Sequence, residues 1–476
     1  MKKDSFNQII WLFLFTLLFL VVFSFLPTVE WGPLKTKKID LISDIRVKDI
    51  PAYVPEKEVR YADEVLPEDT TRIQEDTRVA IQSGDTTVIR RNPPRLSNGT
   101  VVFEDFSPSG DGLSRFLDAL RTCKSSDRPV RIAFLGDSYI EADIFTQNIR
   151  EELQARFGGG GVGYVNMYSE FPGFRRSIVQ SGKGWITHNV VNPKAMEWDK
   201  MTLLHQYYIP EEGAVATYKG TNRLKGADKW NVSRFLFINR SRSTVRMRLS
   251  DGVWMSYSPS SSGEIQELVL EGETSSFQVR VDSVSGFTAL GVWLDGQTGV
   301  SVDNISIRGY SGTSLGRMNV GKSFEMNGFI PYDLIVLEYG LNVMTAEITD
   351  YRKYAGQMKQ AVSHLKECYP DANVMILGVG DRSYRKDGEF ITMPAVPALV
   401  EAQREVARSL GVVFWDTYQA MGGYNSMLSF VGHKPPLANK DYTHINHAGG
   451  KQLAGYFVRS LELALEPSEN ITGHED

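Results

Sequence analysis

Four short, largely apolar runs recur along this chain: VRIAFL at 130–135, DLIVL at 333–337, VMIL at 374–377 and VVFW at 412–415. A strand that is apolar on both faces must be covered on both faces, and that is the situation of parallel strands flanked by helices. The segments between them supply such helices. GLSRFLDALRTC places Leu113, Phe116, Leu117 and Leu120 at helical spacing, and Asp143 to Phe157 does the same with Ile144, Ile149, Leu153 and Phe157 before the glycine run Gly158 to Gly161. Asp350 to Cys368 puts Tyr354, Met358, Ala361, Val362 and Leu365 on one face, and further helices are expected over 396–410 and 447–463. Strands and helices alternating in this way predict an α/β fold with one parallel sheet between two helical layers.

Between the first run and the second, over 175–306, the pattern changes to short alternating pieces: RFLFINRS, TVRMRLSDG, IQELVLEG, SFQVRVDS, FTALGVWLDG and SVDNISIRG. Several such strands broken by Gly, Ser, Asp and Asn predict an all-β insertion, a sandwich or jelly roll. The expected division is therefore a first α/β part over 108–174, the insertion over 175–306, a second α/β part over 307–466 and a tail over 467–476. Trp185, Trp198, Trp230, Trp254, Trp293, Tyr207, Tyr208 and Tyr257 lie in the insertion. Their rings either stack on sugars or fill its core.

The N-terminus has a different character. Ile9 to Leu26 reads IIWLFLFTLLFLVVFSFL, close to the roughly 20 residues that cross a bilayer, and no small-x-small cleavage site follows in PTVEWG. An uncleaved membrane anchor over 9–26 is expected. Lys2 and Lys3 place residues 1–8 in the cytoplasm, so the body falls outside the cytoplasmic membrane, periplasmic or extracellular. Residues 27–107 are polar and poor in large apolar side chains, a stalk.

Composition removes several function classes. The formal charge of -5 comes without a basic block, which excludes a nucleic-acid surface. Cys123 and Cys368 are the only cysteines, too few for a thiolate metal site; they are read as two buried thiols or as one mutual disulfide. No HExxH or carboxylate cluster suggests a metal, and GGGGVG follows a helix without a Lys after it, so no phosphate cradle and no cofactor are expected.

Ligands of a parallel sheet sit at the carboxyl ends of its strands. Three such places hold chemistry: Gly136, Asp137 and Ser138 after the first run; Gly340, Leu341 and Asn342 after the second; and DYTHINHAGG near the C-terminus. A serine hydroxyl is a poor nucleophile until a base takes its proton and an acid orients that base. Asp441 and His444, three positions apart, supply both, and the Asn342 amide is a candidate donor to an oxyanion. The competing readings are a helix cap for Ser138 and His447 as the base. Glu141 and Asp143 either polarise the site or accompany the helix dipole. His188, His205, His364, His433 and His474 show no partner spacing and are read as structural or surface residues.

FLGDSYIEAD, GYSGTS, YGLN and DYTH, in that order, resemble the four blocks of the SGNH hydrolases, also called GDSL-like lipases and acylhydrolases. The resemblance covers Leu113 to Phe157 and Gly309 to Leu463 and implies a flavodoxin-like layout. It implies Ser138 as nucleophile, Asp441 and His444 as its partners, and an oxyanion hole from Asn342 and the backbone amides of Ser138 and Gly312, with Gly309 the second choice for the glycine. Val343 stands where the family commonly has Asp, a position at which relatives acting on acetylated polysaccharides also vary. The β-rich insertion is similar to that of peptidoglycan O-acetylesterases, which implies a carbohydrate O-acetylesterase acting on an acetylated cell-envelope glycan. Anchored relatives also include O-acetyltransferases working beside a multispanning membrane acyltransferase. A noncatalytic glycan-binding protein is the third alternative.

Overall fold

The computed structural model describes residues 100–282 and 285–466, together with positions 15, 30–31 and 34–35. The chain divides into Met1–Thr87 and Val88–Asp476. Within the described part of the first unit, Glu30–Trp31 pairs antiparallel with Leu34–Lys35. The expected anchor over 9–26, apart from position 15, most of the expected stalk and the tail over 467–476 lie outside the described residues. Among the described residues, no helix is long and apolar enough to cross a membrane.

The described elements of the second unit start with a short strand β1 (Glu104–Asp105), helix α1 (Ser114–Thr122), strand β2 (Val130–Gly136) and helix α2 (Thr146–Phe157). Nine strands follow: β3 (Gly161–Val165), β4 (Val179–Asn189), β5 (Gln206–Lys219), β6 (Trp230–Asn239), β7 (Thr244–Leu249), β8 (Met255–Tyr257), β9 (Ile265–Thr274), β10 (Ser276–Asp282) and β11 (Phe287–Asp295). The chain then returns through β12 (Val300–Ser306), α3 (Val320–Phe329), β13 (Leu334–Glu338), α4 (Arg352–Cys368) and β14 (Asn373–Leu377). A hairpin of β15 (Ser383–Lys386) and β16 (Glu389–Thr392) precedes α5 (Ala395–Leu410), β17 (Val413–Trp415), α6 (Thr417–Met421), α7 (Ser426–Gly432) and α8 (His447–Leu465).

The central sheet has the order β12-β2-β13-β14-β17-β1, parallel throughout except for β1 against β17. Counting the parallel strands along the chain gives 2-1-3-4-5, the flavodoxin-like order, whose switch point lies between β2 and β13. The apolar runs seen in the sequence are these strands, and β2 and β13 are buried along their whole length. On one face Phe134, Phe145, Trp415 and Phe457 form edge-to-face pairs that fasten α8 over the sheet. Each such pair adds about 0.5–1.5 kcal/mol beyond area burial.

The other sheet is antiparallel, with the order β8-β7-β10-β5-β11-β6-β9, while β3 joins β11 and β4 joins β5. Its boundaries differ from the sequence expectation at both ends. β3, expected in the first α/β part, pairs with β11, and β12, expected in the insertion, pairs with β2 along its full length. The reason is a buried ionic cluster. Ser301 and Asp303 make β12 look half-exposed in sequence, but both accept from Arg131 of β2, which also binds Asp295 at 2.8 Å. Trp293 and Tyr332 complete Asp303, each at 2.9 Å.

β11 is buried throughout. Phe287, Ala289, Val292 and Leu294 enter the core of the antiparallel sheet, whereas Leu290 and Trp293 belong to the α/β core. The insertion thus shares a packed layer with the α/β domain. Cys123 and Cys368 are both free and buried, the first of the two sequence readings.

Candidate active site

β2 ends at Gly136 because nothing larger fits: a Cβ there would lie 2.6 Å from the Ile140 side chain and 2.9 Å from the Glu338 carbonyl. Asp137 and Ser138 follow, at the carboxyl end of the first strand and beside the switch point. Next comes a strained turn, in which Ala142 and Asp143 have φ of 57° and 68°. Such left-handed non-glycine residues persist only where their surroundings over-determine them. Asp143 does this here. Its buried carboxylate pairs with Arg150 at 2.7 Å and with Arg175 at 3.5 Å, and accepts from Ser177. Burial works to raise its carboxyl, but Arg150 and Arg175 outweigh that and hold it well below the ordinary range. Asp143 is therefore an anchor tying the turn after Ser138 to the segment that leads into the insertion, neither a helix-dipole partner nor a polarising group. Glu141, by contrast, pairs with Arg308 at the rim.

The loop before α8 brings in His444, the candidate base. Ala438 bridges Ile445, and the Asn439 amide donates to the His444 carbonyl at 2.8 Å, which closes the loop on itself. Tyr442, with φ of 56°, stacks its ring on Phe390 of the β15–β16 hairpin, centroids 3.8 Å apart. Asp441 Oδ1 accepts the amides of Thr443 and His444, each at 3.0 Å, while Oδ2 accepts His444 Nδ1–H at 2.9 Å. That places the ring proton on Nδ1 and leaves Nε2 as the acceptor for the Ser138 hydroxyl, 3.1 Å away. Burial would raise the Asp441 carboxyl, but the hydrogen bonds from His444 and Thr443 prevail and lower it. The arrangement can take a proton from a hydroxyl and hold the resulting imidazolium against a carboxylate.

His447 does not compete for this position. It opens α8, capped by the Asn446 side chain, and its Nδ1 contacts Gln147 at 2.8 Å. Burial and Arg176 lower its pKa. His188, His364 and His433 each bond a backbone carbonyl, and His474 lies outside the described residues. His205 is fully buried beside Tyr310 and Tyr339, and burial depresses its pKa to about 3.

On the oxyanion side Asn342 sits in the turn Leu341–Val343 after β13. Its Nδ2 donates to Asp137 Oδ2 at 2.9 Å and to the Tyr310 carbonyl at 3.0 Å, which connects it to the residue beside Ser138. Of the two glycines, Gly312 is the constrained one. Its φ is 82°, and a Cβ would meet the Tyr339 ring at 2.6 Å, whereas Gly309, with φ of 78°, faces open space.

Two buried acids behind this site have roles that the sequence reading did not assign: Asp137, which holds the Asn342 amide, and Glu338, a carboxyl ending β13 that touches none of the proposed catalytic side chains. The signal for Glu338 was present, a lone charge closing the apolar run DLIVLE. In the insertion Trp185, Trp230, Trp293, Tyr207 and Tyr208 are core residues, whereas Trp198 and Trp254 are partly exposed and covered by Arg317 and Arg248. Among the described residues no group of three or more His, Cys, Asp or Glu is placed to hold a metal.

The GDSL-like lipase/acylhydrolase family model matches residues 272–451, which include Asn342, Asp441 and His444 and begin after Ser138. The fold is similar to a solved structure described as a peptidoglycan O-acetylesterase in action, at TM-score 0.62 and 21% identity, covering 76% of this chain and 99% of that one. More remote likenesses include a family two carbohydrate esterase from Cellvibrio japonicus, at TM-score 0.26 and 11% identity, covering 60% of this chain and 95% of that one. A lipase/acylhydrolase from Enterococcus faecalis is similar at TM-score 0.25 and 16% identity over 36% of this chain and 80% of its own. Among curated proteins none matches the chain.

Proposed function

Because residues 272–451 match the GDSL-like lipase/acylhydrolase family model, we propose that this chain is an ester hydrolase that removes O-acetyl groups from a cell-envelope polysaccharide of peptidoglycan type, with Ser138 as nucleophile. The observation that carries this reading is the unbroken relay from Ser138 Oγ to His444 Nε2, 3.1 Å, and from His444 Nδ1 to Asp441 Oδ2, 2.9 Å, beside the switch point of the sheet.

In the first half-reaction Ser138 Oγ attacks the acetyl carbonyl while its proton passes to His444 Nε2. Asp441 stabilises the imidazolium, and Asn342 with the amides of Ser138 and Gly312 receives the oxyanion. The C–O bond to the sugar then breaks, and His444 returns its proton to the departing sugar oxygen. In the second half-reaction water, deprotonated by His444, attacks the acetyl-enzyme; acetate leaves and the proton returns to Ser138. Support for a glycan substrate comes from the similar fold, described as a peptidoglycan O-acetylesterase, whose likeness extends over 76% of the chain.

The test is acetate release from O-acetylated peptidoglycan and from other O-acetylated polysaccharides, in the presence and absence of unacetylated sugar acceptors. Rapid release that disappears in Ser138→Ala is the expected result. Acetylated acceptor in place of free acetate would make the protein a transferase, and release that survives Ser138→Ala would remove Ser138 from the reaction.

A further inference from the structure

Two carboxyl groups lie beneath the nucleophile with no role in the scheme above. Asp137 follows β2, Glu338 ends the neighbouring β13, and both are fully buried. Glu338 is in register with Gly136, the residue before Asp137, so the two acids flank the switch point. Their hydrogen bonding is unequal. Asp137 receives the Tyr139 amide on Oδ1 at 2.9 Å and the Asn342 side chain on Oδ2 at 2.9 Å. Glu338 Oε2, by contrast, is buried with no hydrogen-bond partner.

The other titratable groups facing the pair are His444 from the loop before α8, Glu141 from the turn after Ser138, Tyr139, Tyr339 and, from the loop after β14, Asp381. Two adjacent carboxylates away from water cannot both ionise, and the better-solvated one keeps the charge. Two N–H donors, one on each oxygen, make that one Asp137. Burial raises both carboxyls and does so more strongly for Glu338, which Asp137 pushes further up.

The Asn342 amide has two hydrogens, and both have acceptors inside the protein, the Asp137 carboxylate and the Tyr310 carbonyl. A carboxylate is the stronger acceptor, so the bond to Tyr310 is the one that yields when an oxyanion forms. We propose that Asp137 and Glu338 share a single proton, held by Glu338, and that the Asp137 carboxylate is the positioning residue that grips the Asn342 amide, whose other N–H swings from the Tyr310 carbonyl to the transition-state oxyanion. This rests on the assignment of Ser138 and Asn342 given above.

The experiment uses the full chain and 4-nitrophenyl acetate, with kcat and KM measured across pH. In Asp137→Asn kcat falls about 10- to 100-fold while KM stays within about threefold, because the grip matters in the transition state. The double variant Asp137→Asn with Asn342→Ala is no slower than Asn342→Ala alone, since both changes disable one donor. Glu338→Gln, a neutral isostere of the protonated acid, keeps kcat within about threefold of wild type near neutral pH. It also gains thermal stability over wild type as pH rises. A carboxyl whose folded pKa is raised contributes stability below its unfolded value and loses it progressively up to the folded value, whereas the amide has no proton to lose.

A Glu338→Gln variant as impaired as Asp137→Asn, or Asp137→Asn and Asn342→Ala effects that multiply in full, would overturn the pair. Glu338→Gln preserves volume and reads out even where Asp137→Asn does not fold. Ser138→Ala separates the two failures. Activity that survives it overturns the hydrolytic assignment of the site, whereas an inactive Ser138→Ala beside an Asp137→Asn variant of wild-type kcat overturns the pair alone.

Discussion

The base side of the site and its oxyanion side differ in burial, in charge and in how far along the chain their partners lie. Asp441 and His444 are three residues apart, partly exposed, and held by a loop that closes on itself between Ala438 and Ile445. Asn342 reaches back 205 positions to Asp137 and 32 to Tyr310, and behind Asp137 lies a second buried acid, Glu338, with an oxygen that nothing satisfies. The base side is thus a local turn that needs little from the rest of the molecule. The oxyanion side exists only once β2, β12 and β13 are in register, so it is the half through which distant changes in the sheet reach the chemistry.

The largest effect expected is on the base side itself. Ser138→Ala and His444→Ala should each lower kcat for 4-nitrophenyl acetate by roughly 10⁴-fold or more, and the double variant by no more than the worse single one, because members of a relay fail as a unit. Multiplicative losses in the double variant would show that the two residues do not work together. The corresponding change on the other side, Asn342→Ala, should cost about 10²- to 10³-fold in kcat with little change in KM, as expected for a donor used only in the transition state. A KM effect of similar size would instead make Asn342 a ground-state binding residue.

The glycines give a finer test of how tightly the oxyanion side is built. Gly312→Ala forces a Cβ to within 2.6 Å of the Tyr339 ring, and Tyr339 neighbours Glu338; kcat should fall about tenfold or more. Gly309→Ala meets no neighbour, so it bears only the cost of its φ, about 1–2 kcal/mol of stability, and its kcat should stay within about threefold. Equal losses in the two would remove the distinction between these turns. On the base side the matching change is Phe390→Ala, which removes the ring supporting Tyr442 between Asp441 and Thr443. A self-closed loop should lose only about three- to fivefold in kcat; a loss as large as that of Asn342→Ala would mean that the base side also depends on distant support.

The same contrast explains what could be read from the sequence. The apolar runs became β2, β13, β14 and β17, and the Asp441/His444 spacing became a hydrogen-bonded pair, because each is set by neighbours along the chain. β12 was misplaced because Ser301 and Asp303 look solvent-facing until Arg131, from a strand far earlier, is seen to neutralise them. Asp143 reads in sequence as a polarising group or a helix-dipole partner because its partners Arg175 and Ser177 lie beyond the helix that follows it. Glu338 and the grip of Asp137 on Asn342 depend on strand register, which no local pattern encodes. Polar residues that are buried and mutually satisfied carry the same letters as exposed ones, and only the pairing of distant strands tells them apart.

The smallest effect separates the two histidines of HINH. His447 is the first residue of α8, its ring faces Gln147 and the Phe174 backbone, and burial with Arg176 nearby keeps it neutral more firmly than an ordinary histidine. Gln is of similar length and cannot be protonated, so His447→Gln should leave kcat within about twofold and leave the pH profile unchanged. A thermal shift of a degree or two is compatible with losing the Gln147 contact, since a single part-buried hydrogen bond is worth about 0.5–1.5 kcal/mol. A lost or displaced acid limb in this variant would mean that the proton leaving Ser138 reaches the helix as well, and that the base side is less self-contained than its loop suggests.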